Sequence, residues 1–347
     1  MKKSLVLLIV WLSFSALAQM QAQTPANDSA AKEDLQKTNA EAVRLFQQKK
    51  YDEALLPAQK AVALTEQIFG RKNLETALAL RNLGFIQNAR NQTRAAEEAF
   101  EAALEIYKNI PELDKQNGAT FAEMLETLAF IKYRKQTDSA EKLYETALIW
   151  REKTDGAGSI KTARPLSALA NISFTKKDYK KAARLFSRLL EVVTAKDTKA
   201  DDNETTLIYY RAECAFRKAE MEDDLAALKQ KYSGQINLKT KDGSTGTIDS
   251  RNAKIITLGV VNGRALSLEK PFYPEDAKQL GAQGRVQVQV IIDEQGTVIH
   301  ACAVQSDHFT LTPAAEIAAY KSKFAPTLLE GKPIRAIGTL VFTFRRG

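Results

Sequence analysis

The sequence predicts a mainly α chain, an α-solenoid of helix pairs, followed by a small α+β domain. Three observations carry that reading. One helical pattern recurs four times at a near-constant period. Apolar–polar alternation then begins at Val286, and a stretch rich in Gly, Ser, Thr and Asp separates the two regimes.

The recurring stretches are "YDEALLPAQKAV" (51–62), "TRAAEEAFEAAL" (93–104), "TDSAEKLYETAL" (137–148) and "YKKAARLFSRLL" (179–190). Aligned, they place Ala54, Ala96, Ala140 and Ala182 at intervals of 42, 44 and 42 residues, with further small or apolar positions seven and eight residues on. Upstream of the last three lies a second helical signature: "LRNLG" (80–84), "LETLA" (125–129) and "LSALA" (166–170). Two helices per unit at a fixed period predict a solenoid. An alanine lets the helices of a pair approach closely, while Phe100, Tyr144 and Phe186 fill the space toward the next pair. A weaker fifth unit, "TLIYYRAECAFRKAEMEDDLAAL" (206–228), closes the stack.

This pattern resembles the tetratricopeptide repeat, whose usual unit is about 34 residues. The longer period is similar to the extended repeats of kinesin-light-chain type, most clearly in "ETALALRNLGF" followed by "AAEEAFEAALEIY". The resemblance covers residues 36–230 and implies a concave groove for a peptide or protein partner. Ala54, Phe100, Leu104, Tyr144 and Phe186 are expected to be packing positions, with groove-lining residues elsewhere on the first helix of each pair.

Residues 231–257 are expected to form a linker that lets the two domains move independently. Beyond it the predicted order is a short helix (273–281), strand, strand, helix, strand. Val286, Val288, Val290 and Ile292 alternate with polar residues at the start of the first strand. "DEQG" (293–296) is a turn with Gly where positive φ is needed, and "TVIHACAV" (297–304) is the return strand. A helix is expected over 312–324, with Thr312 as N-cap, Pro313 in its first turn and Glu316 near its start. The last strand (333–346) puts Leu340, Phe342 and Phe344 on one face.

Together these pieces resemble the TonB C-terminal domain, over residues 258–347. The matching features are Tyr273-Pro274, "GRVQVQVIIDEQGTV", the Ser306-Asp307 loop, "AAEIAAYKSKFAPTLLEGKPI" with its Phe324-Ala325-Pro326 step, and the aromatic closing strand. The resemblance implies capture of an extended segment of a TonB-dependent outer-membrane transporter by strand addition to a sheet edge. In that family the last strand is the usual edge, here Arg335 to Phe344. The implied contact positions are Arg335, Ile337, Thr339, Val341 and Thr343, with Arg345 and Arg346 discouraging uncontrolled pairing. The energy-transducing members also carry a membrane histidine and a long proline-rich spacer. Here the only histidines are His300 and His308, and nine prolines are scattered through the chain.

At the N-terminus, Lys2 and Lys3 precede the uncharged run Ser4 to Ala18, and Ala16 and Ala18 suit cleavage, so residues 1–22 are read as a signal peptide. The expected location is the periplasm, or the inner membrane if that segment stays uncleaved. The net charge of +8 is dispersed, with +3 from Ile248 onward and +2 in the preceding linker, so no basic stripe for nucleic acid exists. Cys214 and Cys302 stand 88 residues apart and are expected to be two separate buried thiols. His300, Cys302 and His308 match no zinc pattern, and His300 reads as a surface residue. No phosphate loop, dinucleotide fingerprint or nucleophile elbow occurs. No catalytic, cofactor or metal residue is therefore assigned. The expected role is a non-catalytic periplasmic adaptor for proteins or peptides. A membrane-anchored TonB-type transport component and an enzyme with an unrecognised site are the alternatives.

Overall fold

The structure is a computed structural model that describes residues 25–110, 112–134, 139–195, 202–232, 255–274, 277–278 and 281–345. The segment read as a signal peptide and most of the 231–257 linker lie outside these residues. So does much of the short helix expected at 273–281. Eleven α-helices precede or interleave with seven strands among the described residues. The chain forms two compact units, Met1–Ile131 and Lys132–Gly347.

The first unit holds α1 (Pro25–Gln47), α2 (Tyr51–Phe69), α3 (Leu74–Ala89), α4 (Thr93–Tyr107) and most of α5 (Lys115–Arg134). The second begins with α6 (Ser139–Asp155), α7 (Ala163–Thr175), α8 (Tyr179–Val193), α9 (Asp202–Lys218) and α10 (Glu222–Lys231). The alanine anchors Ala54, Ala96, Ala140 and Ala182 are all buried, as are Phe100, Tyr144 and Phe186. Close approach at the alanines is what lets the aromatic rings fill their gaps.

The turns repeat as well as the helices. Lys49, Asn91, Lys177 and Glu220 all have positive φ, between 56° and 65°. Each sits two residues before a second helix. The next residue donates its N–H five residues back, as Lys50 does to Leu45, Gln92 to Gln87, Asp178 to Ser173 and Met221 to Phe216. That is the Schellman arrangement, which satisfies the last carbonyls of one helix while reversing the chain. Four of the five helix pairs share it. The turn of the remaining pair lies in 135–138, outside the described residues.

The C-terminal sheet comprises β1 (Ile255–Val260), β3 (Gly284–Ile292), β4 (Val298–Ser306), β6 (Thr327–Leu329) and β7 (Lys332–Phe344), with the path β1-β7-β3-β4. A second small pair joins β2 (Ala265–Ser267) to β5 (Lys323–Phe324). Val286, Val288, Val290, Ile292, Leu340, Phe342 and Phe344 bury one sheet face beneath α11 (Thr312–Lys321). Full burial of each such side chain is worth about 2 kcal/mol. The turn after β3 has Gly296 at φ 83°. A Cβ there would stand 1.9 Å from the Phe324 carbonyl oxygen, so glycine is required twice over.

Three expectations change in detail. α11 begins after a 3-10 turn (Phe309–Leu311), so Leu311 rather than Thr312 is the N-cap. It ends at Lys321 rather than 324, because Phe324 pairs with Ala265 and its N–H donates to the Gly296 carbonyl at 2.8 Å. The end of the expected linker is a strand, β1, recruited by β7.

Candidate partner-binding surfaces

β7 is not the edge of its sheet over the positions expected to bind. β3 pairs with it from Ala336 to Phe344, and β1 pairs with it in parallel on the other side. Arg335 faces Ile255, Ile337 faces Thr257 and Thr339 faces Val260. The Thr339 carbonyl accepts the Val261 N–H at 2.9 Å. At Val341 a side chain takes over from the strand. Asn262 Oδ1 accepts the Val341 N–H at 2.8 Å, and its Nδ2 donates to the Val341 carbonyl at 2.9 Å. Of the five positions only Thr343, which is exposed, lies beyond this cover. The edge expectation fails for a physical reason: strand order is a tertiary property, and a short preceding strand satisfies the backbone groups that the domain would otherwise present.

The opposite edge, β4, is closed differently. Tyr210, Glu213, Cys214 and Arg217 follow one another on one face of α9. His300 and Cys302 alternate inward on β4, and both are buried. Cys214 and Cys302 form a disulfide, with Cα atoms 5.7 Å apart. The expectation of two separate thiols is thus overturned, as is that of a surface His300. The bond also ties the repeats to the C-terminal sheet.

A charged cluster surrounds the disulfide. Glu213 is reached by Arg217 Nη2 at 2.9 Å, Lys229 Nζ at 3.2 Å and His300 Nδ1 at 3.9 Å. Burial works against its charge, but His300, Lys229 and Arg217 outweigh it and hold the carboxyl down to about 2. Glu316 behaves oppositely. Burial pushes its carboxyl up, although Arg211 Nε stands 3.8 Å away and its Oε1 accepts the Ala303 N–H at 2.9 Å. That last bond caps a backbone donor of β4. Tyr210 of α9 and Tyr320 of α11 stack across the same contact at 3.7 Å and 23°. His308 bonds Thr310 at 2.8 Å, and burial lowers its imidazole. Among the described residues no group of three or more His, Cys, Asp or Glu could hold a metal ion.

The first unit contains a groove of about 460 Å³, lined mostly by the first helices of its pairs, with Thr65 and Phe69 of α2 at its side. Lys32 and Asn39 of α1, Leu78, Arg81 and Asn82 of α3, and Gln116, Asn117 and Thr120 of α5 line it. Asn82 Nδ2 donates to Asn39 Oδ1 at 3.3 Å, and Asn82 Oδ1 accepts from Arg81 Nη2 at 2.7 Å. Such amides can donate to and accept from an extended backbone. The sequence alone names none of these residues. The available signal was the 43-residue separation of Asn39 and Asn82, one repeat period.

Comparison with known families agrees with this geometry. Residues 39–109 and 120–195 match the tetratricopeptide repeat family, and residues 269–345 match the Gram-negative bacterial TonB protein C-terminal family. The chain carries tetratricopeptide repeats and a TonB C-terminal domain. A clustered mitochondria protein homolog from Neosartorya fischeri is 29% identical over 137 residues, 40% of this chain and 10% of that protein. Its counterpart from Emericella nidulans is 28% identical over 137 residues, 40% of this chain and 11% of that protein. The chain therefore spans about a tenth of the length of these relatives. The crystal structure of BtubC (BKLC) from P. vanneervenii is similar at a TM-score of 0.43 and 15% identity, covering 67% of this chain and 99% of that one. A putative kinesin light chain from Podosopora anserina with nearly identical TPR-like repeats gives 0.41 and 16%, covering 57% and 92%. β1 lies before the matched TonB C-terminal region, which begins at residue 269.

Proposed function

We propose that this protein is an exported, non-catalytic adaptor of the Gram-negative periplasm. Its repeats hold one protein or peptide partner in the groove of the first unit. Its TonB C-terminal domain captures another extended segment by strand addition at β7, through Arg335, Ile337, Thr339, Val341 and Thr343, in place of the β1 strand that pairs there. A segment of a TonB-dependent outer-membrane transporter is the favoured class of partner. The observation that carries the reading is the union of two partner-binding modules in one chain by a buried disulfide. A disulfide of this kind persists in an oxidising compartment and supports export. No described helix is long and apolar enough to cross a membrane.

The test places a photo-crosslinking residue at Leu78 in the groove, or at Thr343 on β7, in full-length protein in a Gram-negative host. Envelope-protein adducts are expected at both positions. Val341→Pro should remove the Thr343 adduct and spare the one at Leu78. The adaptor reading is wrong if neither position yields an adduct. The mass of the mature chain separates cleavage of the N-terminal segment from retention as an anchor.

A further inference from the structure

We infer that Ile255–Asn262 is a resident occupant of the capture edge, a stretch of this chain that fills the β7 site until a partner strand displaces it and that shows what such a partner must look like. The inference rests on reading β7 as the capture strand. Four observations carry it. β1 pairs with β7 in parallel, covering Arg335 to Thr339, most of the positions assigned to the partner. It lies before residue 269, where the match to the TonB C-terminal family begins. Leu258 packs against the sheet core, and the rest of the strand is lightly held. The strand is six residues long, its register slips between Thr257 and Val260, Gly259 is at φ 68°, and Val260 is 65% exposed. Its firm attachment is at the far end, where Val261 is fully buried and Asn262 brackets Val341.

The same contacts define the partner. It is an extended segment running parallel to β7, rich in aliphatic and β-branched residues. A medium-sized aliphatic side chain takes the place of Val261. That place exists because Gly338 lacks a side chain: a Cβ there would lie 2.7 Å from Val261 Cγ1. Because β1 is covalently attached, it competes at an effective concentration on the order of millimolar. A free strand must compete with that tether, which makes capture selective for tightly pairing partners.

The test uses the full oxidised chain and a synthetic peptide of residues 253–260, AKIITLGV. In Ile256→Pro/Leu258→Pro protein the edge is vacated, and the peptide should bind at least ~10-fold tighter than to the native chain. A peptide carrying the same two prolines should bind neither. Equal binding to native and double-proline chains overturns the resident strand and leaves edge capture standing. No binding to the folded double-proline chain overturns edge capture itself, and this inference with it. Amide exchange on the native chain decides the matter should the variant fail to fold. The Val261 and Val341 amides should exchange at least ~10-fold faster than those of Leu340 and Phe342, which alternate toward β3. Exchange of all four at one common rate would make β1 a permanent strand and end the proposal.

Discussion

β4 and β7 of the C-terminal sheet are covered by opposite means. On the β4 flank a covalent bond, a stacked tyrosine pair and a buried charged cluster hold the strand against α9. On the β7 flank a six-residue strand with a register slip and one bracketing asparagine cover the backbone. An exposed edge invites uncontrolled pairing, so both flanks have to be covered. Only one is covered by something that can leave. The difference suggests a sheet fastened to the repeats by one side so that the other can exchange strands.

The largest way to break that comparison is to unfasten the β4 flank. Cys214→Ser with Cys302→Ser removes a cross-link spanning 88 residues. A loop of this length is worth about 4.6 kcal/mol in the chain-entropy account. Urea unfolding of the oxidised native chain and of the variant should differ by that order, and reductant should move the native chain toward the variant. Equal midpoints would mean the charged and stacked contacts suffice alone.

Glu213→Gln attacks the same flank through charge. Its folded carboxyl is held down to about 2, below an ordinary value of 4.5. A depressed acid contributes stability above its unfolded value, and that contribution is lost as pH falls through the folded one. The variant should lose about 3 kcal/mol at pH 7. The deficit should fade below about pH 4, in urea titrations repeated across pH. A deficit independent of pH would assign the loss to packing.

On the other flank, Asn262→Ala removes two hydrogen bonds to Val341. The expected loss is about 2 kcal/mol, roughly one per bond. It should be felt mainly as faster exchange of the Val261 and Val341 amides. If global stability falls while those amides stay protected, the asymmetry between the flanks is wrong.

How much of this was legible varies with the range of the interaction. The helix pairs were readable because Ala54, Ala96, Ala140 and Ala182 recur with the period, and each acts within its own unit. The β3 turn was readable because Gly296 answers a local dihedral demand. β1 was not, because "IITLGV" is too short to declare itself inside a polar linker and becomes a strand only against β7. The disulfide was equally hidden, since 88 residues of separation carry no spacing signal. Burial of His300 and Cys302 was hidden too, because a register slip after Val298 turns them to the face opposite the core residues Val298, Ala301 and Ala303.

The smallest prediction separates two carboxylates that share one contact. Glu316 is pushed up by burial, so the sign opposite to that of Glu213 applies. A raised acid contributes fully below its unfolded value, and the contribution is lost as pH climbs through the folded one. Glu316→Gln keeps an acceptor for the Ala303 N–H and removes the titration. It should lie within about 1 kcal/mol of the native chain near pH 4 and gain on it as pH rises toward 8. The measurement is the urea midpoint of the two chains across that range. Should the variant instead lose ground as pH rises, the Arg211 pair would be supplying the stability, and Glu316 would fasten the β4 flank by charge. The predicted outcome makes it a hydrogen-bonding cap on a strand whose fastening belongs to Glu213 and the disulfide.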